Sequence, residues 1–142
     1  MKRQAKKIVV DSSVLVKWAN AQEENHLEQA DKLAEDAKDG KVVLMAPELA
    51  KYEVGNVLWK KRMKLPMAKA ALGTIYAGPV EFVRQNESEA MRAMEIAGVA
   101  GVSFYDASFG ALAEKLKADL ITDNVKHQGK FSEINVVNLK DY

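Results

Sequence analysis

Cysteine is absent from the 142 residues. That excludes disulfides, thiolate nucleophiles and cysteine-based zinc sites, and it suits an intracellular protein. Charge of one sign is lacking too: 21 Lys+Arg against 20 Asp+Glu leave a formal net charge of +1. No global field draws the chain to nucleic acid or to a membrane, so any basic site must be local. Long apolar runs are missing. No stretch approaches the ~20 residues needed to cross a bilayer. The apolar run in the opening MKRQAKKIVV is far shorter than a signal-peptide core. There is no repeat, no low-complexity segment and no long linker. The expectation is a soluble, cytoplasmic protein. What is present is an ordinary globular balance, 48% hydrophobic and 29% charged, in a length that fits a single domain over residues 1–142.

Short apolar runs alternate with segments of helical spacing. Residues 7–10, KVVLMA (41–46), DLIT (119–122) and INVVNL (134–139) read as strands, and PVEFVRQ (79–85) alternates as one. Residues 12–19 read as a short helix. Residues 23–39 carry Leu27, Ala30, Leu33, Ala34 and Ala37 at helical spacing, with Gly40 as a natural stop. Pro47 opens a helix that runs to about Lys64. Residues 66–77, the stretch ESEAMRAMEIAGVAG, and a segment starting at Ser103 read as further helices. Strands separated by helices of this length imply an α/β fold, a three-layer α/β/α sandwich around a central parallel sheet.

In such a sheet, ligands bind outside the carboxyl ends of the strands. Asp11 stands at the end of the first strand, and Thr122, Asp123 and Asn124 follow DLI. Taken singly, Asp11 and Asp123 also suit helix capping. Glu53 shares the stripe of Leu49 and Val57 on its helix, where a lone carboxylate is costly unless paired, metal-bound or able to reach water at an edge. Asn56, one turn on, can hold its orientation. Asp106 falls at the third position of a helix capped by Ser103, on a face with the small residues Gly110 and Ala113, which leave space. Asp11, Glu53, Asp106 and Asp123 or Asn124 are all hard oxygen donors, a set that suits Mg²⁺ or Mn²⁺. Crowded carboxylates without a cation repel and take up protons. The chemistry that follows is phosphodiester hydrolysis.

Four stretches carry a family resemblance: VVDSSVLVKW, PELAKYEVGNVL, SFYDASFGALAEKLKADLIT and TDN. Together, in this order and spread from residue 8 to about 139, they resemble a PIN domain, close to the VapC-type toxin ribonucleases. The resemblance implies an endoribonuclease that uses Mg²⁺ or Mn²⁺. It implies Asp11 supported by Ser13, Glu53 supported by Asn56, and Asp106 between Tyr105 and Ala107. The family pattern Thr-x-Asp puts Asn124 where an acid is expected and leaves Asp123 one place early, after Thr122. Either Asp123 replaces the missing acid or a second metal is weak or absent. The expectation is one well-held metal at Asp11 and Asp106, with Glu53 contributing directly or through water.

RNA needs local positive charge. LWKKRMK supplies Lys60, Lys61, Arg62 and Lys64, with Lys69 nearby, on the helix of Glu53; the same cations also complement a helix end. Lys126, His127 and Lys130 follow the fourth position and are further candidates for phosphate contact. Trp18 and Trp59 could stack bases, but each adjoins an apolar run and is expected to be buried; His26 is expected to face solvent. Gly98 and Gly101 are read as the turn that aims Asp106. In the related toxins the helical arm around residues 47–75 forms the dimer interface and the antitoxin groove. Leu65, Met67, Leu72, Ile75 and Tyr76 give that arm more apolar surface than a lone helix exposes, which suits either ordinary packing onto the sheet or a partner; with the resemblance, the expectation is a homodimer and a cognate antitoxin. A competing function is a catalytically silent PIN-like RNA-binding module, motivated by Asn124. A phosphoryl-transfer domain of the receiver or haloacid-phosphatase kind ranks third, because Ser12 and Ser13 stand where Asp-x-Asp is required.

Overall fold

The computed structural model describes residues 4–19, 25–125 and 131–142. In chain order the elements are β1 (Lys6–Val10), α1 (Ser12–Ala19), α2 (Leu27–Lys38), β2 (Val42–Pro47), α3 (Leu49–Lys60), α4 (Leu65–Ala77), β3 (Val80–Val83), α5 (Glu87–Ala100), α6 (Phe104–Leu116), β4 (Asp119–Thr122) and β5 (Val136–Asn138). A short 3₁₀ turn, Leu139–Asp141, follows. All the described strands are parallel, in the order β3-β2-β1-β4-β5. Ile8 lies opposite Leu44 on one side and Asp119 on the other, so β1 is the centre of the sheet.

The centre is buried from both faces. Val9 and Val10 are fully buried although they point to opposite sides. Helices α1 to α4 pack against one another as one layer, while α5 and α6 form a second, with α6 lying on β1, β2 and β4. This is the α/β/α sandwich expected from the alternation of elements. Phe109, Leu15, Leu33, Leu44 and Leu120 are its largest fully buried side chains. Each contributes roughly 1.5–3 kcal/mol by leaving water.

Several boundaries differ from the sequence reading. Pro47 ends β2, opposite Val83 in β3, and does not open the next helix. A strand end tolerates the missing N–H, and the next N–H, that of Glu48, bonds the Val83 carbonyl at 3.0 Å. α3 therefore starts at Leu49, and it stops at Lys60 because Arg62 turns left-handed at φ 54. α2 starts four residues later than expected, after His26 at φ 63, and Gly40 at φ +75 ends it as foreseen. Gly98 lies inside α5, so the turn toward α6 is made by Gly101 alone, at φ +68. No single helix among the described residues is long and apolar enough to cross a membrane.

Candidate functional site

β1 sits between strands reached by crossovers in opposite senses, β2 and then β3 on one side, β4 and β5 on the other. That reversal opens a crevice beyond the carboxyl ends of β1 and β4. Asp11 occupies it. Its N–H bonds Ile121 O at 3.0 Å, continuing the β1–β4 pairing by one residue, and its carbonyl accepts from Val14 N at 3.0 Å, starting α1. The residue is only 7% exposed. Its Oδ2 accepts two hydroxyl hydrogen bonds, from Ser13 Oγ at 2.7 Å and from Thr122 Oγ1 at 2.9 Å. Each hydroxyl in turn accepts a backbone N–H from the segment after β4. Asp123 N donates to Ser13 Oγ at 3.0 Å and Asn124 N donates to Thr122 Oγ1 at 2.9 Å. The strand end, the helix start and the β4 loop are thus tied together through one carboxylate oxygen.

Glu53 reaches the same rim from α3. Its Oε1 accepts from Ser12 Oγ at 2.8 Å. Burial pushes its carboxyl above the ordinary carboxylate range, the Ser12 bond opposes that, and the like charges of Asp11 and Asp106 add to the rise. Asp106 is half-buried at the start of α6, where its N–H bonds the capping Ser103 Oγ at 3.0 Å. Glu53 therefore senses acids from two other parts of the chain, Asp11 at the end of β1 and Asp106 in α6. Positive helix N-termini, those of α1 and α6, lie beneath these two and lower the cost of the assembled charge. Among the described residues, no three acidic or histidine side chains are already drawn together around one point as a closed ligand set. The donor chemistry nevertheless fits a hard divalent cation: carboxylate oxygens only, with a repulsion that a cation relieves.

The fourth acid goes elsewhere. Asp123 Oδ2 pairs with Lys17 Nζ at 3.1 Å and Oδ1 meets His26 Nδ1 at 2.9 Å. The Lys17 side chain is 2% exposed and also donates to Asn25 O at 2.6 Å. Asn124 is exposed. Asn56 lies on the exposed side of α3, and the bond that orients Glu53 comes from Ser12 instead. The side of α6 at Gly110 is not open: a Cβ there would meet the Phe131 ring at 3.1 Å. Ser12, Lys17 and His26 are the residues that sequence reasoning missed. Lys17 carried a signal, a lone cation set in the apolar run VLVKW.

The basic segment is where the sequence places it. Lys60, Lys61, Arg62 and Lys64 are exposed beyond α3, as is Lys69 on α4. Trp59, expected to be buried, is 80% exposed, because Val54 and Leu58 take the stripe of α3 that faces the core. Trp18 does pack against the core, with its indole N–H on Ala30 O at 2.9 Å. His26 is half-buried against Asp123 rather than solvent-facing. Lys126, His127 and Lys130 lie outside the described residues.

A family model for the PIN domain matches residues 8–132. Ribonuclease VapC3 of Pyrobaculum aerophilum is 31% identical over 121 residues, covering 82% of this chain and 88% of that protein. Among solved structures, VapBC2 from Rickettsia felis, bound to a DNA fragment from its promoter, superposes with a TM-score of 0.72 at 14% identity, covering 93% of this chain and 98% of that one. Mycobacterium tuberculosis VapC20, described as a sarcin-ricin loop cleaving toxin, superposes at 0.67 with 22% identity, covering 90% and 98%. At those identities the two structures establish the fold.

Proposed function

The chain belongs to the PIN domain family, and on that premise we propose that it is a divalent-metal-dependent endoribonuclease, the toxin of a toxin–antitoxin pair. The observation that carries the reading is Glu53, a partly buried carboxyl held by Ser12 and raised by burial and by the charges of Asp11 and Asp106, two acids far from it in sequence. Asp11, Asp106 and Glu53 would hold Mg²⁺ or Mn²⁺. Such an ion, when bound, activates water and stabilises the leaving oxygen of a phosphodiester. The chain's own residues do the rest. Ser13 and Thr122 fix the Asp11 carboxylate, and Ser12 fixes that of Glu53. Lys60, the last residue of the helix of Glu53, and Lys61 and Arg62 just beyond it attract the phosphate backbone, with Lys126 as a further contact.

The surface of α3 and α4 supports a partner. Trp59 and Leu65 are 80% and 70% exposed, with Tyr52, Met67 and Tyr76 all more than half exposed. So much apolar surface on one arm suits a protein interface, a second copy of the chain or an antitoxin segment. A cytoplasmic location fits this role. The second reading, an RNA-binding module without catalysis, is favoured by one observation: Asp123 is paired with Lys17 and Asn124 is neutral, so the fourth acidic position is unfilled. Cleavage of single-stranded RNA separates the two. The nuclease reading expects cleavage in Mn²⁺ that EDTA stops and Asp11→Asn abolishes. RNA binding without any metal-dependent cleavage would establish the silent module.

A further inference from the structure

We propose that Lys17 is a positioning residue, whose buried ion pair with Asp123 withdraws that acid from the metal-binding set and sets the hydroxyl pair that orients Asp11. The inference rests on the metal-site reading above and extends it to residues outside the acidic rim.

Lys17 lies on α1, six residues after Asp11, with its side chain 2% exposed. A buried ammonium is tolerated only with a counter-ion and hydrogen-bond acceptors. Asp123 Oδ2 at 3.1 Å and Asn25 O at 2.6 Å supply both. The other oxygen of Asp123 is engaged by His26 Nδ1 at 2.9 Å. His26 is held in the left-handed region, φ 63, a conformation that a non-glycine residue keeps only when its surroundings fix it. Both carboxylate oxygens of Asp123 thus point to the α1–α2 side. Turning this group into the rim would break its 3.1 Å ion pair with the buried Lys17 ammonium.

The pair also acts on the site through the backbone. With its side chain anchored, Asp123 delivers its N–H to Ser13 Oγ, and the next residue delivers its own to Thr122 Oγ1. Each hydroxyl thus takes an N–H on one side and lies within donating distance of Asp11 Oδ2 on the other, at 2.7 and 2.9 Å. Contacts run from Lys17 to Asp123, from the N–H groups of Asp123 and Asn124 to Ser13 and Thr122, and from those hydroxyls to Asp11. They leave three carboxylates at the rim, a set for one tightly held divalent ion.

Mn²⁺ titration of the full chain by electron paramagnetic resonance, thermal unfolding in EDTA and RNA-cleavage kinetics together test the proposal. Wild type is expected to bind one Mn²⁺. Asp11→Asn should weaken that binding about tenfold or more. Asp123→Asn should keep Mn²⁺ affinity within about threefold of wild type, yet unfold several degrees lower in EDTA, because the buried Lys17 ammonium has lost the Asp123 carboxylate. Lys17→Met should also lower the unfolding temperature, and the double variant Lys17→Met/Asp123→Asn should recover part of the loss. At a temperature where that double variant is folded, its kcat should fall about tenfold with KM unchanged, a split that a purely structural pair would not produce. Loss of Mn²⁺ affinity in Asp123→Asn to the extent seen in Asp11→Asn overturns the assignment of Asp123, and an unchanged kcat in the double variant overturns the positioning role. Failure of the wild type to bind Mn²⁺ removes the metal-site reading itself, a result distinct from both.

Discussion

Replacing Glu53 by Gln should stabilise the metal-free protein while abolishing RNA cleavage. Glu53 is half-buried, and its carboxyl is raised first by burial and then by Asp11 and Asp106. The native state therefore holds this proton more tightly than the unfolded chain does. As pH rises from the ordinary carboxyl value through the raised native one, the unfolded state ionises first and the fold loses stability. Gln keeps the carbonyl that accepts from Ser12 and carries no charge, so the loss disappears. Near-surface repulsion is on the order of 1 kcal/mol per neighbouring charge. Solvent screening at a partly exposed rim reduces that, which leaves a net gain of about 1 kcal/mol at pH 7. For a chain of this length that is about 3 °C in Tm. Calorimetry in EDTA at pH 7 and again near pH 4 measures it, and the gain should vanish at the lower pH, where wild-type Glu53 is protonated. Saturating Mn²⁺ should reverse the order, raising wild type by about 2.7 kcal/mol at a hundred times Kd and the variant by less. A variant that is less stable than wild type at pH 7, or whose gain persists at pH 4, refutes the idea of mutually repelling acids.

Three further outcomes are expected. Thr122→Val removes a fully buried hydroxyl that donates to Asp11 and accepts from Asn124 N; urea unfolding should show a loss of about 2 kcal/mol, with cleavage impaired beyond what the lost stability accounts for. Gly110→Ala places a methyl 3.1 Å from the Phe131 ring and 3.2 Å from Ile134. The ring has to move, at about 1–3 kcal/mol in the same assay, and a neutral result would mean that Phe131 does not cover this helix. Trp59→Ser combined with Leu65→Ser touches exposed side chains, so stability should change by less than about 0.5 kcal/mol per site. Under the proposed homodimer, light scattering should give a dimer mass for wild type and a monomer mass for the variant; a dimer mass in both places the contact elsewhere, and a monomer mass in both removes the homodimer proposal.

Much of the fold was legible because hydrophobic periodicity and β-branched runs mark buried parallel strands directly. DLIT is a strand over the same four residues that the pattern indicates, and Ser103 caps α6 as its position suggests. The end of β2 was not legible. Pro47 suits a helix start by local preference, and only the pairing with β3 makes it the last strand residue. Trp59 misled for a related reason: its neighbours are apolar, but the rotation of α3 against the core belongs to Val54 and Leu58. Asp11, Glu53 and Asp106 were legible as acids in places that disfavour acids, and in the fold the charges of Asp11 and Asp106 reach the Glu53 carboxyl. Which group orients each was not, because hydroxyl partners such as Ser12 and Thr122 have no periodicity of their own.

The fate of Asp123 shows what decides between two acids of equal sequence merit. Asp11 and Asp123 both follow a buried strand and both suit helix capping. The difference lies in what each strand end faces. Asp11 meets two hydroxyls and the start of α1, which stabilise a carboxylate without neutralising it. Asp123 meets the ammonium of Lys17, buried beneath the same helix, and an ion pair in that setting is far costlier to break than to keep. Asp11 and Asp106 then stand as the like charges that raise the Glu53 carboxyl on this side of a nearly neutral protein. Like charge gathered around Glu53 is costly for the metal-free fold, and under the proposed function a divalent cation held by Asp11, Glu53 and Asp106 would relieve that cost.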